Sequence, residues 1–304
     1  MNSLILITGG AGFIGSHTVD ALLQRGLSVR VLDDLSTGKR ENLPDHPALE
    51  FMQGDIRNSV DVARAMKGVS RVLHLAAQVS VQASIDQPAT SAERNIAGFI
   101  NVLDAARHAC VARFVYASSA AVYGQPVHLP LNEASEPNPA SPYGLEKLIN
   151  DQYAHLFSQL YGVKCLGMRY FNVYGPRQDP RSPYAGVLSI FKDRILADKP
   201  LTVFGDGEQT RDFIYVGDIA EANCRALLTD GEGVVNVGTG TRITLNQVIA
   251  ELGLSTGKAI KVDYQTAREG DIVHSATENI ELINMLGAFK YVSLGDGLKR
   301  LLAD

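Results

Sequence analysis

The chain has 304 residues, of which 45% are hydrophobic, with 28 basic and 33 acidic side chains. This length suits one large domain or two closely packed ones. The mildly acidic charge without a basic cluster argues against a nucleic-acid partner. No apolar run reaches the length of a membrane span, and no charged n-region precedes a cleavage site, so we expect no membrane partner.

The cysteines and histidines place further bounds on the protein. Cys110, Cys165 and Cys224 are widely separated and odd in number. We interpret them as reduced, buried thiols of a cytoplasmic protein. The histidines show no spacing typical of a metal site, so we expect no metal.

The N-terminal stretch combines a strand, a glycine turn and a helix. Residues 4–7 are an apolar run without alternation, which is typical of a buried parallel strand. Gly9, Gly12 and Gly15 follow, and residues 18–23 read as a helix. Such a turn points free backbone N–H groups at one spot, where the helix dipole favours negative charge. The stretch predicts a pyrophosphate site, although glycine-rich turns also occur without a ligand.

A second apolar strand over residues 28–32 ends in an acid, Asp33. A carboxylate at this point can accept hydrogen bonds from an adenosine ribose and would repel a 2′-phosphate. The pattern therefore favours NAD over NADP as the cofactor. Lys39 and Arg40 leave the alternative open, because they could serve a phosphate.

Strands and helices alternate through the first half of the chain. We predict further strands at 50–56, 72–76, 114–118 and 164–168, and helices at 59–66, 92–110 and 142–161. Six parallel strands with intervening helices make a Rossmann-type, doubly wound α/β sheet. Ligands bind at the carboxyl ends of such strands, so the polar residues at those ends should face one crevice; they are Thr8, Asp33, Asp55, Ser118 and Arg169.

Regularity falls after residue 168. We expect helices over 186–197 and 218–228 and a short strand over 210–215. The pattern predicts an NAD-binding domain at 1–168, joined by a returning segment near 212–230. Residues 169–304 would form mainly a smaller α/β substrate-binding domain.

Tyr143 and Lys147 lie four residues apart on the helix predicted over 142–161, and therefore on one face. An ammonium group beside a phenol favours phenolate, so we expect Lys147 to lower the pKa of Tyr143 and make it a general base. Ser118 and Ser119 end the preceding strand, where a serine could hydrogen-bond the substrate oxygen. The alternatives are a surface Tyr–Lys pair and a serine that caps a turn.

Several motifs together resemble the extended short-chain dehydrogenase/reductases. They are Thr8-Gly9-Gly10-Ala11-Gly12-Phe13-Ile14-Gly15, Leu75-Ala76-Ala77, Ser118-Ser119-Ala120-Ala121-Val122-Tyr123-Gly124 and Tyr143-x-x-x-Lys147. Two further segments, 169–177 and 204–213, are similar to the nucleotide-sugar epimerases and dehydratases, and above all to the UDP-glucose (UDP-galactose) 4-epimerases.

This resemblance implies the site residues. Ser119, Tyr143 and Lys147 would be catalytic. NAD would contact Gly9, Gly12, Phe13, Ile14, Gly15, Asp33, Asp55, Ile56, Leu75, Ala76, Ala77, Asn95, Ser118, Tyr143, Lys147 and Tyr170. The UDP-sugar would contact Ser119, Asn172, Val187, Arg211, Arg268 and Asp271. Arginines suit a diphosphate because their guanidinium groups bind phosphate oxygens in pairs. The resemblance also implies a homodimer through a four-helix bundle of the helices over 92–110 and 142–161.

The loop after Ser119 separates the reactions of this family. Related dehydratases carry an acidic pair there, and decarboxylating members carry a glutamate, whereas this chain has Ala120 and Ala121. The resemblance therefore implies 4-epimerisation through a 4-keto sugar. Ala121 replaces a threonine common in UDP-galactose 4-epimerases, so glucose, N-acetylhexosamine and hexuronic acid substrates stay open. A 4-ketoreductase and a non-catalytic NAD sensor are the alternatives.

Overall fold

The computed structural model describes residues 4–178, 186–267 and 272–303. Its strands are, in chain order, β1 (Leu4–Thr8), β2 (Ser28–Asp33), β3 (Leu49–Gln53), β4 (Val69–His74), β5 (Arg113–Ser119), β6 (Cys165–Tyr170), β7 (Asn172–Tyr174), β8 (Leu201–Phe204), β9 (Thr210–Arg211), β10 (Phe213–Tyr215), β11 (Gly233–Val237), β12 (Ile243–Thr244) and β13 (Val262–Gln265). Its helices are α1 (Phe13–Gln24), α2 (Ser59–Met66), α3 (Val81–Asp86), α4 (Pro88–Ala92), α5 (Gly98–His108), α6 (Pro142–Tyr161), α7 (Val187–Leu196), α8 (Val216–Leu228), α9 (Leu245–Thr256), α10 (Ile280–Leu286) and α11 (Leu294–Leu302).

A seven-stranded parallel sheet organises the fold, in the order β11-β6-β5-β4-β1-β2-β3. The strand order reverses between β1 and β4, which is the switch point where ligands bind in doubly wound sheets. The predicted Rossmann-type α/β fold is confirmed.

The apolar run of β1 explains why the sheet is covered on both faces. Ile5 and Ile7 face a core built with α1 and α8, whereas Leu6 faces a second core built with α2, α5 and α6. All three side chains are at most 1% exposed. Each Å² of apolar surface that is buried stabilises the fold by about 25 cal/mol, so a strand buried on both faces contributes strongly to the stability of the sheet.

The seventh strand corrects the sequence prediction of six. β11 pairs in parallel with β6, from Gly233 beside Leu166 to Val237 beside Tyr170. Its apolar run is interrupted by Asn236, which is buried because its amide binds Tyr123 and Thr277. The hydrogen bonds that allow a polar residue to be buried come from distant parts of the chain, so the apolar periodicity of the sequence does not reveal this strand.

The helix predicted over 92–110 begins earlier and is not regular. It comprises α4, a π-helical turn over Glu93–Ala97, and α5. It ends at His108, and Cys110 has a φ of +50° and is exposed. The prediction of three buried thiols is therefore wrong for Cys110, because the chain turns outward there.

The C-terminal half adds small two-stranded sheets and a core of its own. β7 pairs with β10 and β8 with β13, both in parallel, while β9 pairs antiparallel with β12. Side chains of α7, α9 and α11 form the core between them. None of the helices in the described part of the chain is long and apolar enough to cross a membrane. Among the same residues no group of three His, Cys, Asp or Glu side chains is arranged to hold a metal ion.

Candidate active site

The glycine turn joins β1 to α1 and leaves no room for a side chain at Gly9 or Gly15. Gly9 has a φ of +70°, and a Cβ there would lie 2.7 Å from the Ala76 backbone nitrogen. A Cβ at Gly15 would lie 2.2 Å from the Gly9 carbonyl oxygen. The Leu75 N–H binds the Thr8 carbonyl, which brings the predicted 75–77 segment beside the turn. The backbone thus forms the cradle that a pyrophosphate needs.

Phe13 and Ile14 begin α1 directly after the turn. Both are half-buried and pack against the core of the C-terminal half. They therefore link the turn to the part of the chain predicted to bind the substrate.

Asp33 ends β2 beside the glycine turn. Its carboxylate accepts hydrogen bonds from the backbone N–H groups of Ala11 and Leu35, each at 2.9 Å. Burial raises the pKa of Asp33, and these two hydrogen bonds oppose that shift. A carboxylate has about four acceptor positions, so two remain for a ribose diol. Nearby, Lys39 pairs with Glu41 at 3.8 Å, and Arg40 stacks over Phe51.

Asp55 follows β3 at the same edge of the sheet. The Arg57 guanidinium binds its carboxylate and lowers the pKa of Asp55. Both line a surface cavity of about 380 Å³, together with Asn58, Glu93 and Ala97. Ile56 is buried and packs against Gly98.

Tyr143, Ser119 and Lys147 are brought together at the end of β5. The Ser119 hydroxyl hydrogen-bonds the Tyr143 phenol. The Lys147 Nζ lies 5.9 Å from the centre of the Tyr143 ring and donates to the Ala117 carbonyl at 2.9 Å. This is the arrangement of a nucleophile or base with an adjacent proton donor and a cation.

The expected pKa shift of Tyr143 is wrong in sign. Burial raises the pKa of Tyr143, the hydrogen bond with Ser119 opposes the rise, and the Glu146 charge adds to it. The net shift stays upward although the Lys147 Nζ lies 5.9 Å from the ring centre. Burial also lowers the pKa of Lys147, to about 8, while Asp151 and Glu146 work against that shift.

His74 connects the glycine turn to this group. Its Nδ1 lies 2.8 Å from the Thr8 hydroxyl, next to Gly9. Burial lowers the pKa of His74 to about 3, and the charge of Lys147 contributes. A neutral imidazole therefore connects the glycine turn to the Ser119–Tyr143–Lys147 group.

Asn95 and Tyr170 are held by other protein groups, and Ser118 is buried. Asn95 binds the backbone of Gln78 and the Glu146 carboxylate. Ser118 is buried on the other side of β5 from Ser119. The Tyr170 hydroxyl donates to Asn223 at 2.6 Å, which directs it towards α8.

Three of the predicted substrate residues, Asn172, Val187 and Arg211, lie on the C-terminal half. Asn172 donates to the Asp212 carbonyl, and Val187 is the first residue of α7. The Arg211 guanidinium binds the carbonyls of Ile272 and Val273. Arg268 and Asp271 lie outside the described residues.

Two acids of α6 belong to the site, although the motifs did not single them out. Glu146 and Asp151 are both buried. Asp151 pairs with Arg169 at 3.0 Å and accepts from the Tyr116 hydroxyl. The available signal was helical spacing, since Asp151 follows Lys147 by four residues.

Known proteins resemble this chain over almost its whole length. The chain is 42% identical to a putative UDP-glucose 4-epimerase of Methanocaldococcus jannaschii, covering 98% of this chain and 97% of the relative. A UDP-N-acetylglucosamine 4-epimerase of Methanobrevibacter ruminantium, solved with UDP-N-acetylmuramic acid, superposes with a TM-score of 0.95 at 36% identity, covering 99% and 97%. A UDP-glucose 4-epimerase of Thermus thermophilus, solved with NAD, does so with a TM-score of 0.90 at 40% identity, covering 99% and 98%.

The family model agrees with these relatives. The model of the NAD dependent epimerase/dehydratase family matches residues 5–238, which include the glycine turn, the Ser119–Tyr143–Lys147 group and β11. The chain belongs to the NAD dependent epimerase/dehydratase family.

Proposed function

We propose that the protein is an NAD-dependent UDP-sugar 4-epimerase. The observation that carries this proposal is the meeting of Ser119, Tyr143 and Lys147 at the sheet edge that also holds the glycine turn. The three relatives compared above, each covered over nearly its full length, are named as 4-epimerases of UDP-sugars.

The residues of the glycine turn fit NAD. The cradle around Gly9, Gly12 and Gly15 would hold the pyrophosphate, and the free acceptor positions of Asp33 would hold the adenosine ribose. The ion pair of Lys39 with Glu41 and the stacking of Arg40 on Phe51 support NAD over NADP. The other proposed cofactor contacts are Phe13, Ile14, Asp55, Ile56, Leu75, Ala76, Ala77, Asn95, Ser118, Tyr143, Lys147 and Tyr170.

NAD would supply a reversible acceptor for the hydride at the sugar C4. Tyr143 would take the proton of the C4 hydroxyl and later return it, because its phenol is an acid–base group hydrogen-bonded to Ser119. Ser119 would hold the substrate oxygen next to the phenol. Lys147, as a cation, would stabilise the phenolate once it forms.

The turn after Ser119 favours epimerisation over related reactions. Ala120–Tyr123 form a 3-10 turn whose first two side chains are methyl groups. A methyl group cannot protonate a leaving hydroxyl or help to expel carboxylate. The chemistry of this turn therefore supports redox at C4 without elimination.

The C-terminal half would bind the nucleotide sugar. Asn172, Val187 and Arg211 would contact it, with Arg268 and Asp271 completing the set. We place the domain boundary near residue 168, with 212–230 returning to the first domain and β11 following it into the sheet. The packing of α8 against the core that contains α1 supports this division.

We also propose a homodimer built on α5 and α6. Apolar side chains on the outer face of α6 are exposed, among them Leu156 at 45% and Leu160 at 61%. Exposed apolar stripes of this kind mark protein contacts. Three free thiols support the cytoplasmic location predicted from the sequence, which stays a proposal.

The direct test is to incubate the protein with UDP-glucose, UDP-N-acetylglucosamine and UDP-glucuronate and follow C4 inversion by ¹H NMR. We expect one or more of these sugars to reach an equilibrium of C4 epimers without added cofactor. Net oxidation or reduction of the sugar would point instead to a 4-ketoreductase. Failure to turn over any sugar while NAD stays bound would point to a sensor.

A further inference from the structure

Glu146 is a buried acid between the two residues of the Tyr143–Lys147 pair. It is 3% exposed. In the part of the chain that the structure describes, its hydrogen-bond partners are the neutral Ser91 and Asn95, and no basic side chain lies within ion-pair distance of it. Burying an unpaired carboxylate costs free energy, so such a group is a candidate for a functional role.

The contacts of Glu146 tie three elements together. Its Oε2 accepts from the Ser91 hydroxyl at 2.9 Å and from the Asn95 amide at 2.6 Å. Asn95 also exchanges two hydrogen bonds of 2.8 Å with the backbone of Gln78. Glu146 thereby fixes the first turns of α6 against the π-helical turn and against the loop that follows β4.

The charge of Glu146 acts on Lys147. The titratable and charged groups that face Lys147 are Glu146, Asp151 and Tyr143 from α6 and His74 from β4. Asp151 already has an ion-pair partner in Arg169. Glu146 is therefore the acid whose charge can be removed without breaking a buried ion pair.

We propose that Glu146 is a positioning residue of the Tyr143–Lys147 pair: its carboxylate holds α6 against Asn95, and its charge keeps Lys147 as an ammonium ion. This inference rests on the proposed function. A phenolate beside Lys147 needs the cation, because a neutral amine offers no charge to stabilise it. Glu146 thus acts through Lys147 and not on the substrate, while its charge also raises the pKa of the Tyr143 phenol.

The test removes the charge and keeps the shape. Both donors bind one oxygen, Oε2, so Glu146→Gln can keep both hydrogen bonds through its carbonyl. The protein is labelled with ¹³C-lysine, and the Lys147 Cε signal, assigned with Lys147→Arg, is titrated without cofactor or sugar. The wild type should titrate near the pKa of about 8. Glu146→Gln should titrate at lower pH, and Glu146→Asp close to the wild type.

Controls separate charge from structure. Glu146→Ser removes the charge with a small polar side chain and serves if Glu146→Gln does not fold. Asp86→Asn, an exposed acid on α3, should leave the Lys147 midpoint unchanged. In Glu146→Gln and Glu146→Ser the alkaline limb of the pH profile of kcat/KM should move to lower pH, as the Lys147 midpoint does.

An unchanged Lys147 midpoint in a folded neutral variant overturns the proposal and leaves Glu146 with a structural role alone. The titration needs no turnover. Failure of the epimerase proposal would therefore show in the sugar assay and not in this measurement.

Discussion

The hydroxyl of Ser84 accepts a hydrogen bond from the backbone N–H of Tyr143 at 3.0 Å, across 59 positions of sequence. Ser141 accepts from Gly144 in the same turn. Two serines from separate segments thus cap the turn that carries Tyr143. The fully buried Ser84 fixes this turn to α3 as well as to its own helix.

Ser84→Ala should cost about 1 kcal/mol of folding free energy, as expected for a lost helix cap. It should also lower kcat, because the Tyr143 turn loses an anchor. Ser158→Ala is the matched control, since it removes a hydrogen bond of 2.7 Å at the other end of α6. Denaturant unfolding and kinetics would check both variants. An equal loss of kcat in the two would contradict a positioning role for Ser84.

Tyr143→Phe should lower turnover by about 10²–10⁴-fold, the usual contribution of a general acid–base group. Bound NAD should be retained, because the phenol is one contact among many. Cofactor released on denaturation can be quantified by absorbance, alongside the C4 inversion assay. Near-normal turnover would refute the proposed role of Tyr143.

The glycine turn predicts opposite outcomes for two alanine substitutions. Gly15→Ala should destabilise the fold, because its Cβ would meet the Gly9 carbonyl at 2.2 Å. Gly12→Ala should fold, since the nearest atom would be 3.3 Å away. Its methyl group would stand in the half-exposed cradle, so NAD affinity should fall. Thermal unfolding and NAD titration distinguish the two, and tight NAD binding by Gly12→Ala would argue against this pyrophosphate site.

His74 should make the protein sensitive to acid. Burial holds the pKa of His74 near 3 in the folded state, against 6.5 ordinarily. The unfolded chain therefore binds a proton there as the pH falls below 6.5, and stability is lost from that point towards pH 3. Between pH 6.5 and pH 5 this amounts to about 2 kcal/mol.

His74→Asn, which keeps an acceptor for the Thr8 hydroxyl, should lose that part of the pH dependence. His128→Asn, at an exposed position, should keep it. Urea unfolding at pH 7 and pH 5 measures the difference. If the free energy of unfolding fell equally between pH 7 and pH 5 in the wild type and in His74→Asn, His74 would be excluded as the cause.

The outer face of α6 should hold the dimer together. Leu156→Glu with Leu160→Glu places two charges on an apolar stripe, so we expect a monomer. Val60→Glu, at an apolar position of α2 that is 72% exposed, is the control and should stay dimeric. Light scattering at micromolar concentration reads out the mass. A wild-type monomer would contradict the proposed dimer.

Local signals in the sequence were sufficient for the elements that carry the motifs. The helix predicted over 142–161 matches α6, since Ser141 caps its start and Gly162, with a φ of +68°, ends it. The helix over 59–66 matches α2 for a similar reason, the Asn58 cap. Caps and apolar periods lie within one turn of the element they define, so they can be recognised without the fold.

The tertiary structure decided what depends on distant partners. β11 pairs with β6, and the buried Asn236 within it is satisfied by Tyr123 and Thr277, neither of which is near it in sequence. The sequence placed Tyr143 and Lys147 on one helix face, which the structure bears out. It could not yield the sign of the Tyr143 pKa shift, because desolvation depends on every group that packs around the phenol. Only the tertiary contacts of Glu146 with Ser91 and Asn95 show that this acid is part of the site.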